Sequence, residues 1–281
     1  MRKIKIKDTS FQHCLYSNNP MPPVSFCEHF EWDWNTSNVG QDELIFYTHG
    51  NIMEGVNDTN GTKVCWLIEP LDLVPNYYEQ IKQHNKSFKY VFTYEKTLLD
   101  LGQNFRFLPS GGCWIKDSDQ KVHNKSKLVS IIASFKRQLP GHKLRHDVIS
   151  RYRGQMEVLG NGYKKIPEKI DGLRDYMYSV VIENCKRDYY FTEKLIDSLM
   201  TGTVPIYWGC PSIGDYFDTK GFIIVDSVKD IGKALSEITP EMYNKMLPYI
   251  KDNFEKASNY ILSENKVYDD YIKTGKLKIN E

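Results

Sequence analysis

The stretch 178-YSVVIENCKRDYYFTEKLIDSLMTGTVPIYWG-209 sets two apolar runs, YSVVIEN and TVPIYWG, on either side of an amphipathic segment, TEKLIDSLM. Short runs rich in β-branched and aromatic residues read as buried strands, and the segment between them, opened by Thr192 as N-cap, reads as a helix. A strand, a helix and a strand in succession form a right-handed crossover and call for a parallel sheet. The pattern extends outward on both sides: LVSIIAS (strand), HKLRHDVISRY (helix), MEVLG (strand) and EKIDGLRDYM (helix) precede it. GFIIVD (strand), VKDIGKALSEI (helix) and a long amphipathic stretch from about Glu241 to Leu262 follow. The first part of the chain carries strand-like runs, KIKIK, ELIFYTH, KVCWLIE, YVFTY and FRFLP, among polar loops. An α/β protein with doubly wound parallel sheets is expected. The polar, turn-rich segment GGCWIKDSDQKVHNKSK is the linker candidate. It divides the chain into residues 1–122 and 123–281, with the terminal helical stretch able to pack back on the first part.

Composition limits what such a protein can do. The 281 residues are 41% hydrophobic and 26% charged, a soluble globular balance, and the net charge of +1 provides no broad field for nucleic acid or an anionic membrane. Cys14, Cys27, Cys65, Cys113, Cys185 and Cys210 are scattered without a C-x-x-C pair, so they read as reduced thiols. The beginning MRKIKIKDTSFQH has no apolar signal core, and no apolar run has the length of a membrane span. A cytoplasmic protein, soluble or peripheral to a membrane, is expected. The N-x-[ST] sequons at Asn35, Asn57, Asn60 and Asn124 are then chance matches. Trp32, Trp34 and Trp114 read as packing residues.

A chemical question remains at Lys194. It stands in the first turn of the TEKLIDSLM helix, where unpaired backbone N–H groups already carry partial positive charge, so it calls for an anion. A second corner, SFKRQLPGHKLRHD, places Lys136 and Arg145 after another buried-looking strand. Ligands of open parallel sheets sit beyond the carboxyl ends of the strands, where both corners lie. A diphosphate held by helix N-terminal amides, by the planar fork of Arg145 and by the point charge of Lys194 would answer the question. Glu193 could accept hydrogen bonds from a ribose diol, Tyr190 could supply a wall or a hydroxyl, and Asn184 could contact base or sugar. Each also has a structural reading: Lys194 and Lys136 solvated, Arg145 in a surface ion pair with Asp147 or Glu193, Glu193 as a helix-start acid, Tyr190 in the core and Asn184 as a turn-former. Because neither Arg145 nor Lys194 needs burial for this role, removing either is expected to spare the fold.

The run IEN…YYFTEKLIDSLMTGTVPIYWGCPSI resembles the signature of the alpha-1,3-fucosyltransferases, glycosyltransferase family 10, roughly FEN-x(5)-Y-x-TEK followed by G-T-(V/I)-P-(V/I). Asn184, Tyr190, Glu193 and Lys194 stand where that family binds GDP-fucose, and the spacing S-x(10)-R puts Arg145 at its phosphate-binding arginine. The resemblance covers roughly residues 128–226. KVCWLIEP is similar to the segment that carries the family's catalytic base and maps it to Glu69, although the family's Gly-Glu-Asn is replaced by Ile68-Glu69-Pro70. His49 and Glu54 are weaker acceptor-side candidates, and a structural role is the stronger reading of each.

The resemblance implies a GT-B fold of two Rossmann-like domains facing across a cleft. It also implies inverting, metal-independent transfer of fucose from GDP-fucose to a hydroxyl of an oligosaccharide or glycolipid. No cofactor is implied beyond the GDP-sugar co-substrate. The alternatives are transfer of another nucleotide sugar, or a catalytically inactive protein that binds nucleotide or glycan. A metal-dependent route would draw on the D-x-D triplet Asp117-Ser118-Asp119, but that triplet lies in a polar turn. Gly160-Asn161-Gly162, a lone G-x-G after MEVLG, could border the donor.

Overall fold

A computed structural model describes residues 2–8 and 27–279; Cys14 lies outside them. The chain divides into two compact units, one formed by Met1–Ser110 with Leu262–Glu281 and the other by Gly111–Ile261.

The first unit contains the strands β1 (Arg2–Lys7), β2 (Phe30–Asp33), β3 (Leu44–Thr48), β4 (Thr62–Trp66), β5 (Tyr90–Thr93) and β6 (Phe105–Phe107). They form one parallel sheet in the order β2-β1-β3-β4-β5-β6. The short β2, FEWD, has no counterpart among the expected strands, because four residues alternating aromatic and acidic carry little β signal by themselves. Helices α1 (Ile52–Asn57) and α2 (Pro75–His84) belong to the face where Tyr47, Ile52, Tyr78, Ile81 and Phe88 pack. On the other face Ile4, Phe30, Trp32, Phe46 and Phe92 pack against Val267, Tyr271, Ile272 and Leu277 from the C-terminal segment. Trp32 lies in this layer and donates its indole N–H to Glu264 at 3.2 Å.

The second unit carries β7 (Lys127–Ile132), β8 (Glu157–Leu159), β9 (Tyr176–Ile182), β10 (Val204–Trp208) and β11 (Ile223–Ile224) in a parallel sheet ordered β11-β10-β9-β7-β8. β10 is buried along its whole length and β9 at every position but Met177, as strands covered on both faces must be. Helices α3 (Pro140–Tyr152), α5 (Val228–Glu237) and α6 (Pro240–Ala257) cover one face through Val148, Ile149, Ile231, Leu235, Met246 and Ile250. Helix α4 (Glu193–Leu199) covers the other through Leu195, Ile196 and Leu199.

Two expectations differ from this arrangement. The segment EKIDGLRDYM, expected as a helix, is a short 3-10 turn at Lys169–Gly172 that runs directly into β9. Gly172 lies so close to β7 that a Cβ there would fall 2.7 Å from the Ile132 side chain, and Ser130 Oγ donates to the Gly172 carbonyl at 2.6 Å. The division near residue 123 also differs: residues 111–122 belong with the second unit. Gly111 bridges Thr192, the Trp114 N–H donates to Asp197 at 2.6 Å, and Cys113 and Ile115 are buried in the same cluster as α4. Polar composition made this segment look like a linker, but its few apolar residues point inward.

Candidate donor site

The order β11-β10-β9-β7-β8 locates the site. From β7 the chain proceeds to β8 on one side and then returns to β9 on the other. The carboxyl ends of β7 and β9 therefore flank a topological switch point, where connections diverge and leave a crevice.

Helix α3 starts at this crevice in contact with β9. The Gly141 N–H donates to the Asn184 carbonyl at 3.0 Å, and a Cβ on Gly141 would fall 1.8 Å from the Glu183 carbonyl oxygen. Only glycine lets helix and strand end meet here. One turn later Arg145, 7% exposed, donates from Nε and Nη2 to the Ile182 carbonyl and from Nη2 to Asn184 Oδ1 at 3.0 Å. Nη1 takes no part in these bonds. Burial pulls the guanidinium down from its ordinary value, opposed by Glu183, Glu193 and Tyr190. The expected surface ion pair with Asp147 or Glu193 is thus replaced by a buried guanidinium fastened to the end of β9. The expectation that Arg145 is dispensable to the fold falls with it.

The β9 to α4 connection carries the rest. Tyr189 has φ 64°, the only positive value at a non-glycine among the described residues, and its N–H donates to Ser212 Oγ at 2.9 Å. This left-handed conformation is costly for an aromatic residue and turns the chain sharply. Tyr190, 2% exposed, follows it. Thr192 then caps α4 and donates to the fully buried Glu183 from its N–H at 2.8 Å and its hydroxyl at 2.6 Å.

Lys194 Nζ donates to Glu193 Oε1 at 2.9 Å and to Thr192 Oγ1 at 3.1 Å, and lies 3.9 Å from Glu183 Oε2. Its anions within the chain are therefore Glu193 and Glu183. Burial raises the Glu183 carboxyl, with Lys194 acting against it. Burial raises Glu193 as well, but Lys194 and Lys169 outweigh it and hold that carboxyl well below the usual range. Lys169 Nζ lies 2.9 Å from Asp197 Oδ2, 3.5 Å from Glu193 Oε1 and 4.3 Å from the centre of the Trp114 ring. Burial works against its ammonium, but Asp197 and Glu193 hold its pKa above normal. Three cations (Arg145, Lys169, Lys194) and three carboxylates (Glu183, Glu193, Asp197) are interleaved here.

Lys136 is exposed in the β7 to α3 loop. Its carbonyl accepts from His146 Nε2 at 3.1 Å, while His146 Nδ1 accepts from the Tyr163 hydroxyl at 2.7 Å. The buried His142, whose Nδ1 accepts the Leu139 N–H at 3.1 Å, is pushed down to about 4 by burial and then by Arg145, Lys136 and Lys194. All three expected cations thus disfavour the charged form of His142. The loop at Gly160-Asn161-Gly162 lies against Ala133 and Phe135 at the end of β7.

Glu69 belongs to the first unit, half-buried in the loop after β4. Its N–H and that of Ile68 donate to His49 Nε2 at 2.9 and 3.0 Å, and its carbonyl accepts from the Tyr78 hydroxyl at 3.0 Å. His49 is 2% exposed, and burial pushes it down to about 4. Its Nε2 lone pair is committed to two amides, so His49 holds the Glu69 loop and does not serve as a base. Glu54 sits on the surface, 3.6 Å from Lys7. Asp117 accepts from Gln120 Nε2 at 3.1 Å in a 3-10 turn. Among the described residues no group of three His, Cys, Asp or Glu is gathered to hold a metal, and no helix is long and apolar enough to cross a membrane.

Glu183, Asp197 and Lys169 are additions to the expected site. An acid closing the apolar strand YSVVIEN signals Glu183, and the four-residue spacing from Glu193 puts Asp197 on the same helix face. Lys169 carries no sequence signal.

Residues 122–251 match the family model described as Glycosyltransferase family 10 (fucosyltransferase) C-term. This part of the chain is similar to glycosyltransferase family 10. The match contains Lys136, Arg145, Asn184, Tyr190, Glu193 and Lys194, whereas Glu69, His49 and Glu54 lie outside it. Among similar proteins, an alpha-(1,3)-fucosyltransferase FucT of Helicobacter pylori is 30% identical over 112 residues, 38% of this chain and 23% of the relative. Alpha-(1,3)-fucosyltransferase B of Drosophila melanogaster is 31% identical over 124 residues, 42% of this chain and 27% of the relative. The chain thus spans about a quarter of the length of these curated relatives.

Solved structures extend the likeness over both units. An alpha1,3-fucosyltransferase with GDP covers 96% of this chain and 90% of its own, with a TM-score of 0.54 and 17% identity. Another with GDP-fucose gives 0.53 and 18% over 96% and 91%. At such identity the likeness establishes the fold, which is GT-B with two parallel α/β units.

Proposed function

We propose that the protein is an inverting, metal-independent fucosyltransferase that moves fucose from GDP-fucose to a hydroxyl of an oligosaccharide or glycolipid. The observation that supports this best is the set Arg145, Asn184, Glu193 and Lys194 at the switch point of a unit matching the family 10 model. Two of its structural neighbours are alpha1,3-fucosyltransferases, one with GDP and one with GDP-fucose.

In this reading Arg145 and Lys194 take the diphosphate and Glu193 the ribose diol, with Asn184, Tyr190 and Lys136 lining the donor. Lys194 is the movable element: its partial exposure, 25%, lets it turn from Glu183 and Glu193 toward the incoming phosphate. Glu69 takes the proton of the acceptor hydroxyl. The acceptor oxygen forms a bond to the sugar C1, and the bond from C1 to the β-phosphate oxygen breaks with its electron pair leaving on GDP. The two cations stabilise that developing charge, the task a divalent ion performs in metal-dependent transferases. The main-chain bonds from His49 and Tyr78 support Glu69 in this role by fixing the loop from both sides. A reducing compartment such as the cytoplasm suits the free thiols of Cys27, Cys65, Cys113, Cys185 and Cys210.

The test is GDP release from GDP-fucose, with and without acceptor and with EDTA present. Activity should survive chelation, and Glu69→Gln should lower turnover by a factor on the order of 10²–10⁴ while leaving GDP affinity unchanged. Loss of activity on chelation overturns the metal-independent scheme, and full activity in Glu69→Gln overturns the base assignment.

A further inference from the structure

We infer that Lys169 is a positioning residue for ribose recognition, acting through Glu193; the inference rests on the donor reading above. A carboxylate that binds a vicinal diol must stay ionised and must keep one edge turned outward. In the described state Glu193 Oε1 is shared by two ammonium groups, Lys194 at 2.9 Å and Lys169 at 3.5 Å. When Lys194 turns to a diphosphate, Glu193 loses the nearer of the two. Lys169 then remains as its ammonium partner.

Lys169 is built to remain. Its Nζ is anchored to the buried Asp197 at 2.9 Å and lies 4.3 Å from the Trp114 ring centre, and the Trp114 N–H holds the other Asp197 oxygen at 2.6 Å. Asp197 is one helical turn beyond Glu193 on the same face of α4, so a single ammonium bridges both. Lys194 exchanges partners while Lys169 stays, and the Glu193 edge away from the ammonium groups is left for hydroxyl donors.

The probes are GDP and 2′,3′-dideoxy-GDP, titrated by calorimetry against the full chain. A carboxylate bonded to the diol should make the unmodified protein bind GDP about tenfold to a hundredfold more tightly than the dideoxy analogue. Lys169→Met should shrink that ratio to about threefold or less while leaving affinity for the dideoxy analogue unchanged, and Lys169→Arg should restore it. A purely structural lysine would weaken both ligands alike. If Lys169→Met does not fold because Asp197 is left buried without a partner, Lys169→Met with Asp197→Asn keeps an acceptor for the Trp114 N–H and serves instead. Full discrimination in the lysine variants, with discrimination lost in Glu193→Gln, overturns the inference about Lys169 alone. Retained discrimination in Glu193→Gln overturns the ribose role of Glu193, and no GDP binding by the unmodified protein overturns the donor reading as well.

Discussion

Gly141→Ala is the sharpest test of how the switch point is assembled. The added Cβ would lie 1.8 Å from the Glu183 carbonyl oxygen and 2.9 Å from that of Asn184, both main-chain atoms that cannot rotate away. Opening the first contact to 3.0 Å, the shortest separation real side chains tolerate, takes 3.0 − 1.8 = 1.2 Å of relative motion between α3 and the end of β9. That motion breaks the bond from the Gly141 N–H to the Asn184 carbonyl, now 3.0 Å, and carries Arg145 away from Ile182 and Asn184. Forcing an atom into a packed contact costs about 1–3 kcal/mol and the lost hydrogen bond about 1 kcal/mol. Alanine returns about 0.5–1 kcal/mol through its better helix propensity. The expected net is a loss of about 1–3 kcal/mol in urea unfolding. GDP affinity should fall further, by a factor on the order of 10², because an ångström of misplacement at a charge-binding group is enough to lose alignment. Calorimetric titration with GDP and a urea curve on the same sample decide the matter. A variant with the parent's midpoint and the parent's GDP affinity would show that α3 does not position Arg145 in the way argued here.

Arg145→Ala should lose GDP binding and also about 1–3 kcal/mol of stability, since the guanidinium is buried and fastens the Ile182 carbonyl and Asn184. Lys194→Ala, at a partly exposed side chain, should lose GDP binding with a stability change within about 1 kcal/mol; urea curves on both variants reveal whether the two cations differ in this way. The acid response should trace in part to His49. Its folded value of about 4 lies below the unfolded one of about 6.5, so its stabilising share is complete above pH 6.5 and declines as pH falls from there toward 4. That share is about 3 kcal/mol, and His49→Gln, which keeps an acceptor for the Ile68 and Glu69 amides, should flatten the stability profile over this window. An unchanged profile in urea unfolding from pH 4 to 7 would count against the buried, neutral imidazole.

The parallel second sheet was legible because each of its strands in 178–209 is an apolar run separated from the next by a capped amphipathic helix, a signal local in the chain. Arg145 and Lys194 stood out for a related reason: cations after strand ends are out of place for stability and so call for an anion, which for Lys194 the chain itself supplies in Glu193 and Glu183. Readings failed where the determining contact was distant in sequence. Composition alone assigned Trp114 to a linker, yet its N–H reaches Asp197, 83 positions away. EKIDGLRDYM carries helical residues, yet Gly172 packs against the Ile132 side chain and bonds to Ser130, contacts of β7 that no local pattern records. For His49 the structural reading was the stronger one, and geometry shows the form it takes: Nε2 accepts the Ile68 and Glu69 amides.

The cation at the start of α4 raises a question that has two answers in succession. Within the chain Lys194 is answered by Glu193 and Glu183, so the helix start is neutralised from within. A diphosphate bound there must take Lys194 from those carboxylates, and the cost depends on what they retain. Glu183 keeps the Thr192 amide and hydroxyl, and Glu193 keeps Lys169. Because neither carboxylate is left bare, the exchange costs little, and under the proposed function Lys194 would then be available to the leaving group. In the proposed function, a site with Lys194 and Arg145 but without Thr192 and Lys169 behind the carboxylates would hold the lysine inward and bind diphosphate poorly, so these reserve partners matter to it as much as the cations do.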